Sequence, residues 1–169
     1  VSNLSRLLGW PVLAEGLSPL RNYQCLNERL ISAYDVILRA SERSTALVPE
    51  QVIQLGSLPT SKVLRQWLQV YQPKRWIVGP QKNLDPLHGP AQSLLTTLDY
   101  LVSALKEEKK ESVSIAENRY TQQWLACEKS VRQVIDNTLA TESTLVESKV
   151  VWLLAQYLPE DTPLFIANS

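Results

Sequence analysis

Residues 52–68, VIQLGSLPTSKVLRQWL, decide the fold. Val52, Ile53 and Leu55 have the apolar, partly β-branched character of a short buried strand. Gly56 ends that strand where the chain must turn. Pro59 then leads into Thr60 and Ser61, which offer a hydroxyl to an otherwise orphan N–H at a helix start. Leu64, Trp67, Leu68 and Tyr71 recur at helical spacing and predict an inward stripe. Lys62 falls in the first helical turn, where the macrodipole disfavours a cation by roughly 0.3–1 kcal/mol. An anion at that end would be held by the exposed N–H groups and the lysine together. The competing reading is an ordinary solvated lysine. A nucleotide P-loop is excluded, because that motif needs a second glycine before the lysine and Ser or Thr after it. Here the neighbours are Ser61 and Val63.

Working outward, Leu4 to Gly9 predicts the last turns of a helix with Leu4, Leu7 and Leu8 inward. Trp10 to Ala14 predicts a short strand, and Glu15 to Arg21 the loop at its carboxyl end, where open α/β sheets bind ligands. Leu26 to Arg39 reads as helical, with Leu26, Leu30, Ala33, Tyr34, Ile37 and Leu38 spaced by three and four. Downstream, Trp76 to Gly79 predicts another strand, entered from Pro73-Lys74-Arg75 and followed by a polar loop to Gly89. Leu94 to Thr97 is assigned as a strand before a helix from Asp99, and the mixed-sign run from Lys106 as a solvated helix end or loop. Two helical faces follow, one carrying Trp124, Val131, Val134, Ile135 and Leu139, the other Leu145, Val150, Val151, Leu154 and Tyr157. The pattern is α/β, a Rossmann-like open and mostly parallel sheet flanked by helices. A G-x-G-x-x-G fingerprint is missing, so dinucleotide binding has no support.

Composition narrows the function classes. The 169 residues hold 17 Lys plus Arg against 17 Asp plus Glu, so a general electrostatic grip on nucleic acid or anionic lipid is not expected. The longest apolar run, Val150 to Ala155, is far too short to span a bilayer. No signal peptide opens the chain. Cys25 and Cys127 read as reduced core thiols of a cytoplasmic protein. The single histidine, His88, has no ligand-spaced neighbours for a metal, and there is no catalytic triad. The chain starts at Val1, contains no methionine, and stops at Ser169 after an apolar run, which predicts an internal piece of a longer chain.

Five blocks then become recognisable: LGWPVLAEGLSPLR at 8–21, YDVILR at 34–39, VPEQVIQLGSLPTSKVLRQWL at 48–68, WIVGPQKNLDP at 76–86 and LPEDTPLFIANS at 158–169. Together they resemble the 2-succinyl-5-enolpyruvyl-6-hydroxy-3-cyclohexene-1-carboxylate synthase family (MenD), thiamine-diphosphate enzymes of menaquinone or phylloquinone biosynthesis. The resemblance implies a transferase of three α/β domains, with this chain as the central one. On that reading residues 1–118 are the central domain, 119–158 a helical connection, and 159–169 the first strand of a diphosphate-binding domain. It implies carboligation, in which 2-oxoglutarate is decarboxylated and its succinyl unit added to isochorismate. Thiamine diphosphate and Mg2+ are implied for the parent enzyme, with none expected on this piece, and a homo-oligomer is expected. In the family, the lysine of the P-T-S-K turn reaches the acidic substrate, which here is Lys62 with Ser61 in support. Asn168 and Ser169 match the start of an N-S-x-x-x-R substrate-binding segment. Val63 stands where some members have arginine, and Glu15 where many have aspartate. The cofactor-activating glutamate and the G-D-G…N motif fall outside these residues, so the piece alone is expected to be inactive. Two alternatives remain open at this point: a structural spacer, or a small-ligand domain using the loops after Ala14, Leu55 and Gly79.

Overall fold

Every strand pairing among the described residues is parallel. The computed structural model describes residues 1–81, 85–108 and 118–165, in two units, Val1–Val131 and Arg132–Ser169. The first unit opens with α1 (Ser2–Leu8), which ends on Gly9 at φ 70°, the left-handed cap that only glycine adopts at no steric cost. Strand β1 (Val12–Leu13) pairs with β2 (Leu30–Ile31), and a 3-10 segment, Pro19–Leu26, lies between them. Two short helices, α2 (Tyr34–Arg39) and α3 (Ser41–Ala46), lead to β3 (Gln51–Leu55). Then follow α4 (Lys62–Tyr71), β4 (Lys74–Gly79), β5 (Ala91–Leu95) and α5 (Leu98–Glu108). β3 pairs with β4 from Gln51 opposite Lys74 to Leu55 opposite Val78, and β4 pairs with β5 from Arg75 opposite Ala91 to Gly79 opposite Leu95.

The core lies between α2, α4 and the first turns of α6 (Arg119–Thr141). Trp124 is fully buried and meets Trp67 edge to face, with ring centroids 6.2 Å apart. Each indole or phenol at this junction carries a polar tip, and two of those tips reach main-chain carbonyls, as burial demands. Trp67 Nε1 donates to the Ser44 carbonyl at 2.8 Å, and the Tyr120 hydroxyl to that of Leu47 at 2.9 Å. Burial raises the Tyr120 pKa, so it stays a donor throughout the neutral range. At the sheet's other end, Arg75 is 2% exposed and is gripped by Asp85 through two bonds of 2.8 and 2.5 Å. A guanidinium this deep is stable only with a paired, bidentate carboxylate. The pair fixes the turn at residues 85–89 beside the start of β4.

The second unit holds the rest of α6 and then α7 (Glu147–Tyr157), with Trp152 Nε1 donating to Asp136 at 3.0 Å. Among the described residues no helix is long and apolar enough to cross a membrane.

The strand at Val52, the helix from Lys62 and the strand at Trp76 match the structure; at Leu94 the order of strand then helix holds, but the strand is Ala91–Leu95 rather than 94–97 and the helix starts at Leu98. Leu26 to Arg39 does not form one helix. Its apolar spacing serves two elements, because Leu30 and Ile31 are a strand buried from both sides and only Tyr34 onward is helical. Tyr71 is 37% exposed, its ring edge-on to Trp67, because its position closes the helix rather than facing the core. The fully buried position of β3 is Gln54, whereas Val52, Ile53 and Leu55 are half-buried. Cys25 is exposed on the 3-10 segment, so only Cys127 is a core thiol. Val134 and Ile135, expected on an inward helix face, are exposed. Residues 159–165 form turn and coil, and 166–169 lie outside the described residues.

Candidate functional site

Glu15, just past β1, and Asp35, on α2, each bring a carboxylate to the turn that leads from β3 into α4. Gly56, at φ 71°, turns the chain out of β3. A Cβ there would meet nothing within 4 Å, so backbone conformation rather than space requires glycine. Pro59 and Thr60 then bring Ser61 to the N-cap of α4, where its hydroxyl accepts from Leu64 N at 3.1 Å. The same hydroxyl donates to Asp35 at 2.5 Å. That bond, with Arg39 on the other carboxylate oxygen at 3.0 Å, holds the Asp35 pKa below its ordinary value.

Lys62 is the first residue of α4, and its side chain is exposed. Among the described residues it makes no hydrogen bond or ion pair, and the first turn of α4 contains no acidic residue. With Ser61 satisfying Leu64 N, the N–H groups of Lys62 and Val63 remain for an outside acceptor. The lysine and the helix end therefore present positive charge in one direction.

Glu15 modifies this picture. It leaves the end of β1 and crosses to the turn before α4, accepting from Thr60 N at 2.7 Å and from the Thr60 hydroxyl. Those bonds, the hydroxyl's first, hold its pKa down, so a fixed negative charge sits against Thr60 in the turn. An incoming anion would approach from the Lys62 side, because Thr60 is already engaged. Glu15 is itself held by Arg21, whose guanidinium donates to the carbonyls of Ala14, Glu15 and Ser32 at 2.7–3.1 Å. That clamp satisfies the loose carbonyls at the ends of β1 and β2 with one planar fork. The sequence reading missed Arg21, Asp35 and the reach of Glu15. The signal available was three charged residues in loops that end strands or open a helix.

Beneath the site, Glu128 of α6 is 6% exposed and accepts from Ser32 N at 3.1 Å, Ala33 N at 2.8 Å and the Ser32 hydroxyl at 2.5 Å. It supplies the acceptor that the start of α2 lacks in its own sequence. Of the four residues expected to touch substrate, Lys62 and Ser61 are adjacent in this site, while Asn168 and Ser169 lie outside the described residues. His88, at φ 49° in the turn after Asp85, is remote in sequence from all of these.

The described residues do not fit a thiamine-diphosphate and metal site. No three His, Cys, Asp or Glu side chains among them converge on a point, and the turn before Lys62 offers one glycine rather than a diphosphate cradle.

A protein-family profile described as the middle domain of thiamine pyrophosphate matches residues 1–166. Among curated proteins, the chain is 51% identical over 170 aligned residues to a 2-succinyl-5-enolpyruvyl-6-hydroxy-3-cyclohexene-1-carboxylate synthase of Trichormus variabilis. It is equally similar, at 51%, to that of a Nostoc species, and 48% identical to that of Gloeothece citriformis. Each alignment covers 100% of this chain but only 28–29% of the relative.

Proposed function

We propose, for a chain that belongs to the family of thiamine pyrophosphate middle domains, that it is the central domain of a carboligase. The reaction is decarboxylation of 2-oxoglutarate and addition of the succinyl unit to isochorismate, in menaquinone or phylloquinone biosynthesis. Both substrates carry carboxylates. Lys62 binds one of them at the α4 terminus, with Ser61 ordering the turn and Asn168 and Ser169 completing the contact. The observation that carries this reading is Lys62 itself, an unpartnered cation beside free helix N–H groups at the carboxyl edge of a parallel sheet. Thiamine diphosphate, with Mg2+ on its diphosphate, supplies the electron sink when bound elsewhere in the parent. The residues here orient and neutralise acidic substrate.

Residues 1–118 are then the central domain, 119–158 the connection and 159–169 the entry to the diphosphate-binding domain. The parent acts as a cytoplasmic homo-oligomer. Lys62→Ala in the parent enzyme tests the assignment. A large rise in KM for one acid substrate, with unfolding stability unchanged, supports it. An unchanged KM refutes it.

A second reading, a spacer that holds the cofactor domains apart, is favoured by one feature. Glu15 already occupies the Thr60 amide, as it would if the turn were an internal joint. The same variant decides between the two.

A further inference from the structure

Ser61 caps α4 immediately before Lys62, and its hydroxyl has one proton to give and lone pairs to accept with. The oxygen accepts from Leu64 N at 3.1 Å, and the proton goes to Asp35 Oδ1 at 2.5 Å. Both capacities are therefore committed inside the protein. With the proton uncommitted, an incoming carboxylate would draw the hydroxyl toward itself and away from Leu64 N, and the first turn of α4 would lose its cap.

Asp35 is held to one position. It lies in the first turn of α2, where the helix dipole favours an anion. Its second oxygen, Oδ2, accepts from Arg39 one turn along, at 3.0 Å. The Ser61 bond first, and then Arg39, keep its carboxyl below the usual pKa, so it remains an acceptor at neutral pH.

Electrostatics alone argues against a carboxylate here. Asp35 sets a negative charge beside the helix end assigned to an acidic substrate, and Glu15 already holds another against Thr60. Nor does the cap need one, because the proton of a partly exposed serine can turn to water. What Asp35 adds is a fixed direction for the Ser61 hydroxyl.

We infer that Asp35 is a positioning residue for the acid substrate. By taking the Ser61 proton it commits that hydroxyl to the α4 cap, and leaves the Lys62 side chain and the N–H groups of Lys62 and Val63 to meet the carboxylate. The inference rests on the assignment of Lys62 to substrate and adds the residue, on a neighbouring helix, that sets the geometry. Asp35 acts through Ser61, so its effect disappears when Ser61 is absent.

Steady-state kinetics of the parent enzyme test this with Lys62→Ala, Asp35→Ala, Asp35→Asn, Ser61→Ala and the double variant Asp35→Ala with Ser61→Ala. Urea unfolding of each reports stability separately. The quantity read is KM for the acid substrate whose KM rises in Lys62→Ala. Charge and position predict opposite signs, because losing a negative charge lowers that KM whereas losing the Ser61 acceptor raises it. Asp35→Ala is expected to raise KM about fivefold, the factor carried by about one hydrogen bond, with kcat unchanged. Asp35→Asn keeps an oxygen for the Ser61 proton and is expected not to raise KM. In the Ser61→Ala background, Asp35→Ala is expected to raise KM no further.

A fall in KM for both Asp35 variants would leave only its charge and overturn the inference. A less stable Asp35→Ala enzyme with unchanged KM would make the contact a structural tie and overturn it too. So would a further rise in the double variant, which would put the effect outside Ser61. If Lys62→Ala leaves KM unchanged for both acids, the site falls and this inference with it. A rise in Lys62→Ala without one in Asp35→Ala overturns the inference alone.

Discussion

Replacing Glu128 by leucine removes the acceptor from three donors, of which Ser32 N and the Ser32 hydroxyl are buried and Ala33 N is part-buried. Oε2 serves Ser32 N and Ala33 N, and Oε1 serves the Ser32 hydroxyl. The hydroxyl can rotate to another acceptor, but the two backbone N–H groups cannot. Each buried donor left unsatisfied costs about 1–3 kcal/mol, giving about 2–6 kcal/mol for the pair. The leucine recovers about 1.5–3 kcal/mol through apolar burial, so the middle of the two ranges leaves a net loss of about 2 kcal/mol. Glu128→Gln behaves differently. Its single carbonyl oxygen can still accept from both N–H groups, and its amide can donate to the Ser32 oxygen. What it loses is the charge assistance, about 1–2 kcal/mol. Urea unfolding of the chain, followed by the fluorescence of Trp67 and Trp124, measures both. Against a typical domain stability of about 5–15 kcal/mol the leucine variant should shift the midpoint strongly. A leucine variant within about 0.5 kcal/mol of the unmodified chain would refute the reasoning, as would a glutamine variant less stable than the leucine one. Either result would mean that α6 does not secure the start of α2.

Three further outcomes are expected. The Arg75 guanidinium beside Asp85 lowers that carboxyl's pKa in the folded state, so the pair's contribution is complete above the unfolded value of about 3.9 and disappears as pH falls through the lower folded value. The stability difference between the unmodified chain and Asp85→Asn should therefore be widest above about pH 5 and close under acid, as read from denaturant midpoints; a constant gap would contradict the pairing. Gly56→Ala should cost about 1–2 kcal/mol through its left-handed backbone alone, since no atom lies within 4 Å of the added Cβ; a neutral thermal melt would mean that the turn relaxes. Glu15→Gln keeps an acceptor for Thr60 but removes the negative charge near the α4 terminus. If Lys62 holds an acid substrate as proposed, steady-state kinetics of the parent should then show a several-fold lower KM for it, and an increase would place the anion elsewhere.

The parts of the fold visible in sequence were those in which local signals agree. Residues 52–71 carry strand residues, a glycine, a proline, a capping serine and a helical stripe in succession, and the elements land where the pattern puts them, although Gln54 rather than its apolar neighbours is the buried strand position and Tyr71 stays exposed. Leu94 was harder, because the apolar spacing permitted one helix; the alternation of elements gave a strand before a helix, though the strand lies at Ala91–Leu95 rather than 94–97. Leu30 and Ile31 defeat periodicity for a physical reason. A two-residue strand covered on both sides has no alternation of its own, and its neighbours happened to continue a helical spacing.

The candidate site divides along the same line. Local chemistry determined Lys62 at a capped helix start, because the lysine, the Ser61 cap and the helix dipole lie within one turn. The five blocks that resemble the family likewise carried the family assignment without any coordinates. Tertiary structure alone decided which charges face that turn. Glu15 reaches Thr60 across 45 residues and Glu128 reaches Ser32 across 96, separations at which no spacing rule connects a carboxylate to its donor. The same holds for Gln54, whose sequence shows only a polar residue in a strand. That its oxygen is buried without a partner among the described residues is set by packing, not by the order of residues along one strand.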